Sequence, residues 1–177
     1  KEFVAHLKSQ GLEISVFSDI SGNPIKSQVL KGVEAYRAHQ ADSLIGLGGG
    51  AALDVTKAVA LLIHHPGDLF DYEDEKPGAL PINRPIPFWV AIPTTSGTGS
   101  EVGRSTVISD EKTHIKKIIF SPALLAKEVF ADPELTLALP PSITAATGMD
   151  AFTHCVEAYL AKGYHPICDG KIGRAHV

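Results

Sequence analysis

The feature that most constrains the fold is the alternation between short apolar segments and longer segments with helical spacing. Residues 43–47 form a short apolar segment, three glycines follow at positions 48–50, and residues 51–64 carry apolar side chains at helical spacing. Residues 87–92 are continuously apolar, which is typical of a strand that is buried on both faces. Strands that alternate with helices indicate βαβ units around a parallel sheet. The sequence therefore predicts an α/β fold with right-handed connections.

The same patterns predict the remaining elements and a domain boundary. Helices are expected at residues 2–10, 25–39 and 144–162, single strands at 13–17 and 129–131, and a β-hairpin from 107–109 and 117–120. Two adjacent prolines, at positions 140 and 141, separate the strand-bearing part from the helical part. We therefore expect a dinucleotide-binding type of domain over residues 1–139 and the start of a helical domain over residues 140–170.

Composition and charge exclude several classes of function. With 44% hydrophobic and 20% charged residues, the chain can build an ordinary core. The net charge is −4 and no basic run is present, so we expect no nucleic-acid partner. No apolar stretch reaches the length of a membrane span, and residues 1–8 lack the apolar region of a signal peptide. Two cysteines are too few for a disulfide framework, so we expect a reducing, cytoplasmic setting.

The last seven residues are expected not to belong to the natural protein. Residues 172–177 read Ile-Gly-Arg-Ala-His-Val, the translation of a common sequencing-library adapter in one frame (ATC GGA AGA GCA CAC GTC). The adapter bases before this stretch are AG, and a lysine codon AAG at position 171 satisfies them. The sequence therefore predicts that residues 171–177 are a read-through artefact. A natural polar C-terminus is the alternative.

A glycine run lies between the predicted strand 43–47 and the predicted helix 51–64. Such glycines let the backbone approach a pyrophosphate closely, and the helix N-terminus adds unpaired N–H groups and the positive end of a dipole. Asp54 falls in the first helical turn, where it either orients the loop or bonds the hydroxyls of a ligand. The run is not the GxGxxG fingerprint. A nucleotide-binding loop and a plain strand-to-helix turn both remain open.

A run of small polar residues follows the predicted strand 87–92. It reads Thr-Thr-Ser-Gly-Thr-Gly-Ser over residues 94–100. Ligands of open α/β sheets bind at the carboxyl ends of the strands, which is where this run is expected to lie. Its hydroxyl groups offer many hydrogen-bond donors to such a ligand, although a solvated loop would have a similar composition.

Asp150 and His154 form the third motif. Their i, i+4 spacing on the predicted helix 144–162 places them on one face, where a carboxylate oxygen and an imidazole nitrogen can reach one ion. This mixed donor set suits Fe²⁺ or Zn²⁺ more than Mg²⁺ or Ca²⁺. A catalytic ion needs at least one more protein ligand and an open position. Each side chain could instead be satisfied locally.

Taken together, these motifs resemble the iron-containing alcohol dehydrogenase family. The segments that carry the resemblance are Asn23-Pro24 and residues 48–57, 92–101, 132–135 and 148–159. The resemblance implies a Rossmann-like nucleotide-binding domain followed by an all-helical metal-binding domain, the architecture also found in dehydroquinate synthase. It further implies hydride transfer between NAD or NADP and a primary alcohol or aldehyde, a divalent metal (Fe²⁺, with Zn²⁺ as an alternative), and a homo-oligomeric parent.

The resemblance also assigns roles to individual residues. Those implied to contact the cofactor are Asn23, Gly49, Gly50, Ala51, Asp54, Thr94, Thr95, Thr98 and Lys116. The family usually has serine where Ala51 stands, so a side-chain contact is lost there while the backbone contacts need not be. Asp150 and His154 are implied to be the first two metal ligands.

Two further histidine ligands of the family are expected downstream of this chain, and a first strand that helps discriminate NAD from NADP is expected upstream. The chain alone is therefore expected to be catalytically inactive. Three other functions remain open: a metal-free reductase similar to maleylacetate reductase, a lyase similar to dehydroquinate synthase, and a non-catalytic nucleotide-binding fragment. The presence of both Asp150 and His154 argues against the metal-free reductase.

Overall fold

Four helices and five strands make up the part of the chain that the computed structural model describes, which is residues 2–162 and residue 166. The helices are α1 (Glu2–Ser9), α2 (Lys26–Ala38), α3 (Gly50–His64) and α4 (Pro141–Leu160). The strands are β1 (Ser43–Gly48), β2 (Phe88–Pro93), β3 (Ser105–Ser109), β4 (Lys116–Phe120) and β5 (Glu128–Val129). Short 3-10 helices span Leu69–Tyr72, Ser100–Val102, Pro122–Leu124 and Pro133–Thr136. The predicted artefact at residues 171–177 lies outside the described residues.

The central sheet is parallel and has the order β1–β2–β5. The pairing of β1 with β2 runs from Ser43 opposite Phe88 to Gly48 opposite Pro93, so both strands end at the same level. Strands β3 and β4 form a separate antiparallel hairpin. The α/β fold predicted from the sequence is confirmed.

Helix α3 is at the centre of the core. It packs against α2, β1 and β3, and eight of its fifteen residues are buried. A helix that is apolar on most of its surface must be covered on several sides, and the sheet, α2 and the hairpin provide that cover. On the face of the sheet that α3 covers, strand β2 supplies Trp89, which clusters with Leu53 of α3. Trp89 is fully buried and donates its indole N–H to the Leu124 carbonyl at 3.2 Å.

The long loop between α3 and β2, residues 65–87, is held in place by one histidine. His65 is buried; its Nδ1 lies 2.9 Å from the Leu61 carbonyl, and its Nε2 accepts the N–H of Arg84 at 3.0 Å. These two contacts require the neutral imidazole with its proton on Nδ1. Its ring also meets Tyr72 edge-on, with centroids 5.7 Å apart. The start of this loop at His65 and its later part at Arg84 are thereby joined through a single side chain.

Most elements expected from the sequence are present, with small shifts at their ends. The predicted helices 2–10, 25–39 and 51–64 correspond to α1, α2 and α3, and the predicted hairpin corresponds to β3 and β4. The last helix begins at Pro141, three residues earlier than expected, because proline suits the first turn of a helix, where no intrahelical N–H bond is needed. Among the described residues, none of the helices has the length and apolar character that a membrane crossing requires.

The predicted strand at residues 13–17 is wrong. The segment has no regular secondary structure and no ladder partner, because a strand exists only where another backbone lies within hydrogen-bonding reach. A cavity of about 940 Å³ lies between this segment and the free edge of β1. The apolar alternation of the segment therefore marks a partly buried stretch of chain, not a paired strand.

Gly32 sets the distance between α2 and α3. A Cβ at this position would lie 2.6 Å from Cγ2 of Val59, whose branched side chain has little rotamer freedom in a helix. Overpacking should cost about 1–3 kcal/mol, against a gain of about 1 kcal/mol from helix propensity. We therefore expect Gly32→Ala to lower the free energy of unfolding by up to about 2 kcal/mol. Urea unfolding checks this. The control is Gly148→Ala on α4, where the new methyl meets nothing within 4 Å and should not destabilise. Equal effects of the two changes would contradict the close packing.

The buried imidazole predicts a pH dependence of stability. Burial lowers the pKa of His65, with smaller contributions from Arg84 and His64. The neutral ring is thus favoured in the folded state, so its stabilisation is present above the ordinary pKa of about 6.5 and is lost as the pH falls below that value. Between about pH 7.5 and 5.5, we expect the stability advantage of wild type over His65→Gln to shrink by about 1 kcal/mol. The exposed His6→Gln should show no such change, and a constant advantage for His65 would refute the assignment.

Candidate functional site at the carboxyl edge of the sheet

The level ends of β1 and β2 bring the first two sequence motifs together. The N–H of Thr94 donates to the carbonyl of Gly48 at 3.0 Å, which continues the ladder by one residue beyond the strands. The glycine run (residues 48–50) and the run of small polar residues 94–100, called the Ser/Thr run from here on, therefore leave the sheet side by side. This is the edge at which ligands of open α/β sheets bind.

Close backbone packing explains the first two glycines of the run. Gly48 has a φ of 147°, which disfavours other residues, and a Cβ there would lie 2.7 Å from Cβ of Ala52. A Cβ at Gly49 would lie 3.1 Å from Cγ2 of Thr95. Gly50 differs, since a Cβ there would meet nothing within 4 Å. Open space therefore lies in front of the first residue of α3.

The start of α3 faces this open space with free backbone donors. The Gly49 carbonyl accepts the N–H groups of Ala52 and Leu53 at 3.0 and 3.2 Å. The earlier amides, at Gly49, Gly50 and Ala51, precede the first intrahelical bonds and are the ones a helix leaves to other partners. Together with the positive end of the helix dipole, they form a place that an anionic group can approach.

Asp54 is directed inward. Its side chain is only 15% exposed; Oδ1 accepts the hydroxyl of Ser100 at 2.7 Å and Oδ2 accepts the N–H of Val107 at 3.1 Å. Burial raises the pKa of this carboxyl, while the hydrogen bonds and Lys57 act in the opposite direction. Of the two roles that the sequence left open, this geometry supports the orientation of the Ser/Thr run. A contact of Asp54 with a ligand stays a prediction.

Lys57 is a residue that sequence reasoning missed. Its side chain is 0% exposed, and its ammonium lies 2.6 Å from the Ser100 carbonyl and 2.8 Å from the Ser105 carbonyl. Burial lowers the pKa of Lys57, and the Asp54 carboxylate, 3.7 Å away, opposes that shift. One signal in the sequence could have found it: a single lysine in the apolar part of α3, three residues after an aspartate.

The Ser/Thr run also reaches the third motif. Oγ1 of Thr98 lies 2.7 Å from Nε2 of His154, and a Cβ at Gly97 would lie 3.2 Å from Cβ of Thr147 on α4. On the same helix Nε2 of His154 is 3.9 Å from Oδ1 of Asp150. The structure thus brings all three sequence motifs to one place.

Asp150 and His154 fit a divalent ion as a partial set of ligands. One oxygen and one nitrogen donor lie on the same face of α4, and their side chains are 49% and 56% exposed. An ion held by this pair would compete with the contact between Thr98 and His154. Across residues 2–162 and at residue 166, no group of three or more His, Cys, Asp or Glu side chains is arranged to hold a metal. The described residues therefore offer two of the three or more ligands that a catalytic ion needs.

Two of the predicted cofactor residues, Asn23 and Lys116, lie in a different part of the molecule. Lys116 is the first residue of β4 and pairs with Ser109, whose N–H donates to the carbonyl of Pro24 at 2.7 Å. This end of β3 is about 13 Å from Ser105, at the rise of a β-strand. Both side chains are exposed. The structure brings them near each other but not beside the glycine run.

A comparison with known families decides the relationship. A model described as iron-containing alcohol dehydrogenase matches residues 1–133. The chain belongs to this family. Its α/β fold is the Rossmann-like nucleotide-binding fold of the iron-containing alcohol dehydrogenases, as structural comparison also shows.

Individual relatives of this family are similar over nearly all of the chain. The 4-hydroxybutyrate dehydrogenase of Cupriavidus necator is 43% identical over 162 residues, which cover 91% of this chain and 42% of that protein. A crystal structure of 1,3-propanediol oxidoreductase superposes with a TM-score of 0.88 at 36% identity, covering 96% of this chain and 43% of that one. Sulfoacetaldehyde reductase from Bifidobacterium kashiwanohense, solved with NAD⁺, gives 0.84 at 35% identity, covering 97% and 46%. The chain thus spans less than half the length of these relatives.

Removing the carboxylate of the buried Asp54–Lys57 pair should reduce stability more than removing that of an exposed pair. Asp54→Ala leaves the fully buried Lys57 ammonium without its carboxylate, so we expect the free energy of unfolding to fall by about 3 kcal/mol. Denaturant unfolding measures this. The control is Asp19→Ala, which removes the partner of Lys31 in an exposed pair and should cause no measurable change. A similarly small effect at both positions would show that the buried pair does not contribute to stability.

Proposed function

We propose that this chain forms the nucleotide-binding part and the first two metal ligands of an alcohol oxidoreductase. The reaction is hydride transfer between NAD(P)(H) and a primary alcohol or aldehyde. The observation that carries the proposal is the convergence of the glycine run, the Ser/Thr run and the Asp150–His154 pair at one edge of the sheet. The relatives are named a dehydrogenase, an oxidoreductase and a reductase, and the reductase was solved with NAD⁺, which supports the proposal.

The glycine run is proposed to bind the pyrophosphate of the nucleotide. The amides of Gly49, Gly50 and Ala51 and the dipole of α3 attract an anion, and the open space in front of Gly50 leaves room for it. A Cβ at Gly49 would lie 3.1 Å from Cγ2 of Thr95, so Thr95 is proposed to flank the bound pyrophosphate at the neighbouring position. Thr94 and Thr98, from the neighbouring run, are proposed to orient the nicotinamide end. Asn23 and Lys116 are proposed as more distant contacts.

Asp150 and His154 are proposed to hold a divalent ion, Fe²⁺ or Zn²⁺, together with ligands from beyond the described residues. Such an ion would supply Lewis-acid polarisation of the alcohol oxygen, and a nicotinamide cofactor would supply the hydride chemistry. The contact between Thr98 and His154 brings the two binding regions within one hydrogen bond of each other. The names of the relatives make small alcohols or aldehydes the proposed substrates. Because two ligands do not make a catalytic site, the chain by itself is expected to bind nucleotide without turning over alcohol.

A substitution at Gly50 tests the nucleotide site. A Cβ at Gly50 would meet nothing within 4 Å, so Gly50→Leu starts its side chain in open space. We expect the fold to be retained while NAD⁺ binding falls at least tenfold. Calorimetric titration of the purified chain with NAD⁺ measures the affinity, and thermal unfolding confirms the fold. The control is Ala38→Leu, which adds a similar group at an exposed position of α2. No saturable binding by wild type, or equal binding by both variants, would remove the proposed site.

The metal role is tested in the full-length enzyme that contains this chain. Asp150→Ala and His154→Ala should each abolish alcohol oxidation in the presence of Fe²⁺ or Zn²⁺ while NAD⁺ binding is retained, because the proposed nucleotide donors lie on other elements. Full activity in both variants would contradict metal-assisted hydride transfer.

A further inference from the structure

Lys57 is a fully buried ammonium with one partner on its own helix and two partners in a distant segment. Asp54, Ser100 and Ser105 surround it, and the two serines lie on either side of the turn that connects the Ser/Thr run to β3. A charge buried in this way destabilises the fold unless its partners compensate it. The number and type of these partners indicate whether the lysine is charged and which segment it holds.

The hydrogen bonds around Lys57 match the donors of a charged lysine. An ammonium has three N–H donors and no acceptor. Three acceptors lie within reach of Nζ: the Ser100 carbonyl at 2.6 Å, the Ser105 carbonyl at 2.8 Å and the Ser100 hydroxyl at 3.0 Å. That hydroxyl can accept from Lys57 because its own proton is donated to Asp54. Every donor is thereby used, and the charge is balanced by the carboxylate.

The same contacts fix both ends of one short segment. Ser100 begins a single 3-10 turn, which follows Gly99 with a φ of 74°, and Ser105 begins β3. Lys57 holds the carbonyls of these two serines, five positions apart, on one nitrogen atom. The preceding residues of the run therefore leave from a fixed point. Thr98, two residues before Ser100, is the residue that reaches His154.

We propose that Lys57 is a positioning residue: through Ser100 and Ser105 it fixes the Ser/Thr run so that Thr98 meets His154 and the run borders the nucleotide site. Its effect on nucleotide affinity rests on the proposed function, whereas the effect on the contact between Thr98 and His154 does not. A merely structural lysine would stabilise the fold and leave this contact unchanged.

The test uses the purified chain and the imidazole of His154 as a probe. Nitrogen-15 labelling of histidine gives resonances that report protonation and hydrogen bonding at each ring nitrogen, and His154→Gln assigns the signal. Thr98→Val removes the hydrogen bond and defines the displaced position of the resonance. We expect Lys57→Met, which keeps the aliphatic stem but removes the ammonium, to move the His154 signal most of the way to that position.

Further variants keep the test decisive if Lys57→Met does not fold. Asp54→Asn combined with Lys57→Met removes both charges together, so no unpaired ion is left in the interior. Ser100→Ala removes one acceptor of the lysine and the donor to Asp54 while retaining the Ser100 carbonyl. Each should displace the His154 signal in the same direction, Ser100→Ala by the smaller amount.

Leu61→Ala is the matched control for lost stability. Leu61 is also fully buried on α3, but it lies in the apolar core, so its truncation leaves a cavity without touching the Ser/Thr run. Its His154 signal should coincide with that of wild type. In NAD⁺ titrations, Lys57→Met should bind about tenfold more weakly than Leu61→Ala. A displaced Ser/Thr run would lose about one hydrogen bond to the charged cofactor, and such a bond accounts for a factor of this size.

The outcomes separate the two proposals. A His154 signal at the wild-type position in the folded variants of Lys57 and Ser100 overturns the positioning role, whatever the nucleotide does. A displaced signal in a chain whose wild type does not bind NAD⁺ supports the positioning of Thr98 and rejects the proposed nucleotide site. A displaced signal in Leu61→Ala as well would show that any loss of stability moves the run, which also overturns the specific role of Lys57.

Discussion

The parallel pairing of β1 with β2 is the constraint on which the rest of the arrangement depends. Because Gly48 lies opposite Pro93, both strands end at one level and their following loops start side by side. The hydrogen bond from Thr94 to Gly48 extends this alignment into the loops. A shift of the pairing by one residue would turn the side chains of β2 to the opposite face and expose Trp89, which is fully buried. The core and the site therefore require the same register.

Helix α3 transmits that register to the rest of the molecule. Its first residue is the last glycine of the glycine run, and its apolar surface fills the core. Its polar residues Asp54 and Lys57 bind the segment that leads into β3. A single helix thus connects the proposed anion site, the hydrophobic interior and the Ser/Thr run. Substitutions along α3 should therefore differ in kind: those at its start affect ligand access, and those in its middle affect packing.

Much of this arrangement could be predicted from the sequence because it depends on local patterns. The strands 43–47 and 87–92 were visible as apolar runs, and the edge where their loops meet followed from parallel pairing. The strand at residues 13–17 was wrong because pairing is not local: an apolar alternation cannot show whether a partner backbone is near. Lys57 was missed for a related reason, since burial of a lysine depends on which distant carbonyls surround it.

The sequence correctly predicted helix α4, which places Asp150 and His154 on one face. It could not show that Thr98 lies next to His154. The contact between Thr98 and His154 joins residues 56 positions apart, through a loop whose path is set by Gly97, Gly99 and Lys57. Family resemblance supplied the expected roles of the site residues, which stay predictions, and the structure supplied the distances between them. The separate location of Asn23 and Lys116 was visible only in three dimensions.

Trp89 is the single tryptophan of the sequence, and its position gives the protein a built-in optical reporter. Its indole is shielded from water, and its N–H bonds a backbone carbonyl next to the sheet, so its emission comes from one defined and apolar environment. It lies on the strand that leads into the Ser/Thr run. Reduced nicotinamides absorb light in the range where a buried indole emits, so a bound reduced cofactor would quench this tryptophan by energy transfer. Occupancy of the sheet edge can thus be followed in real time without any label.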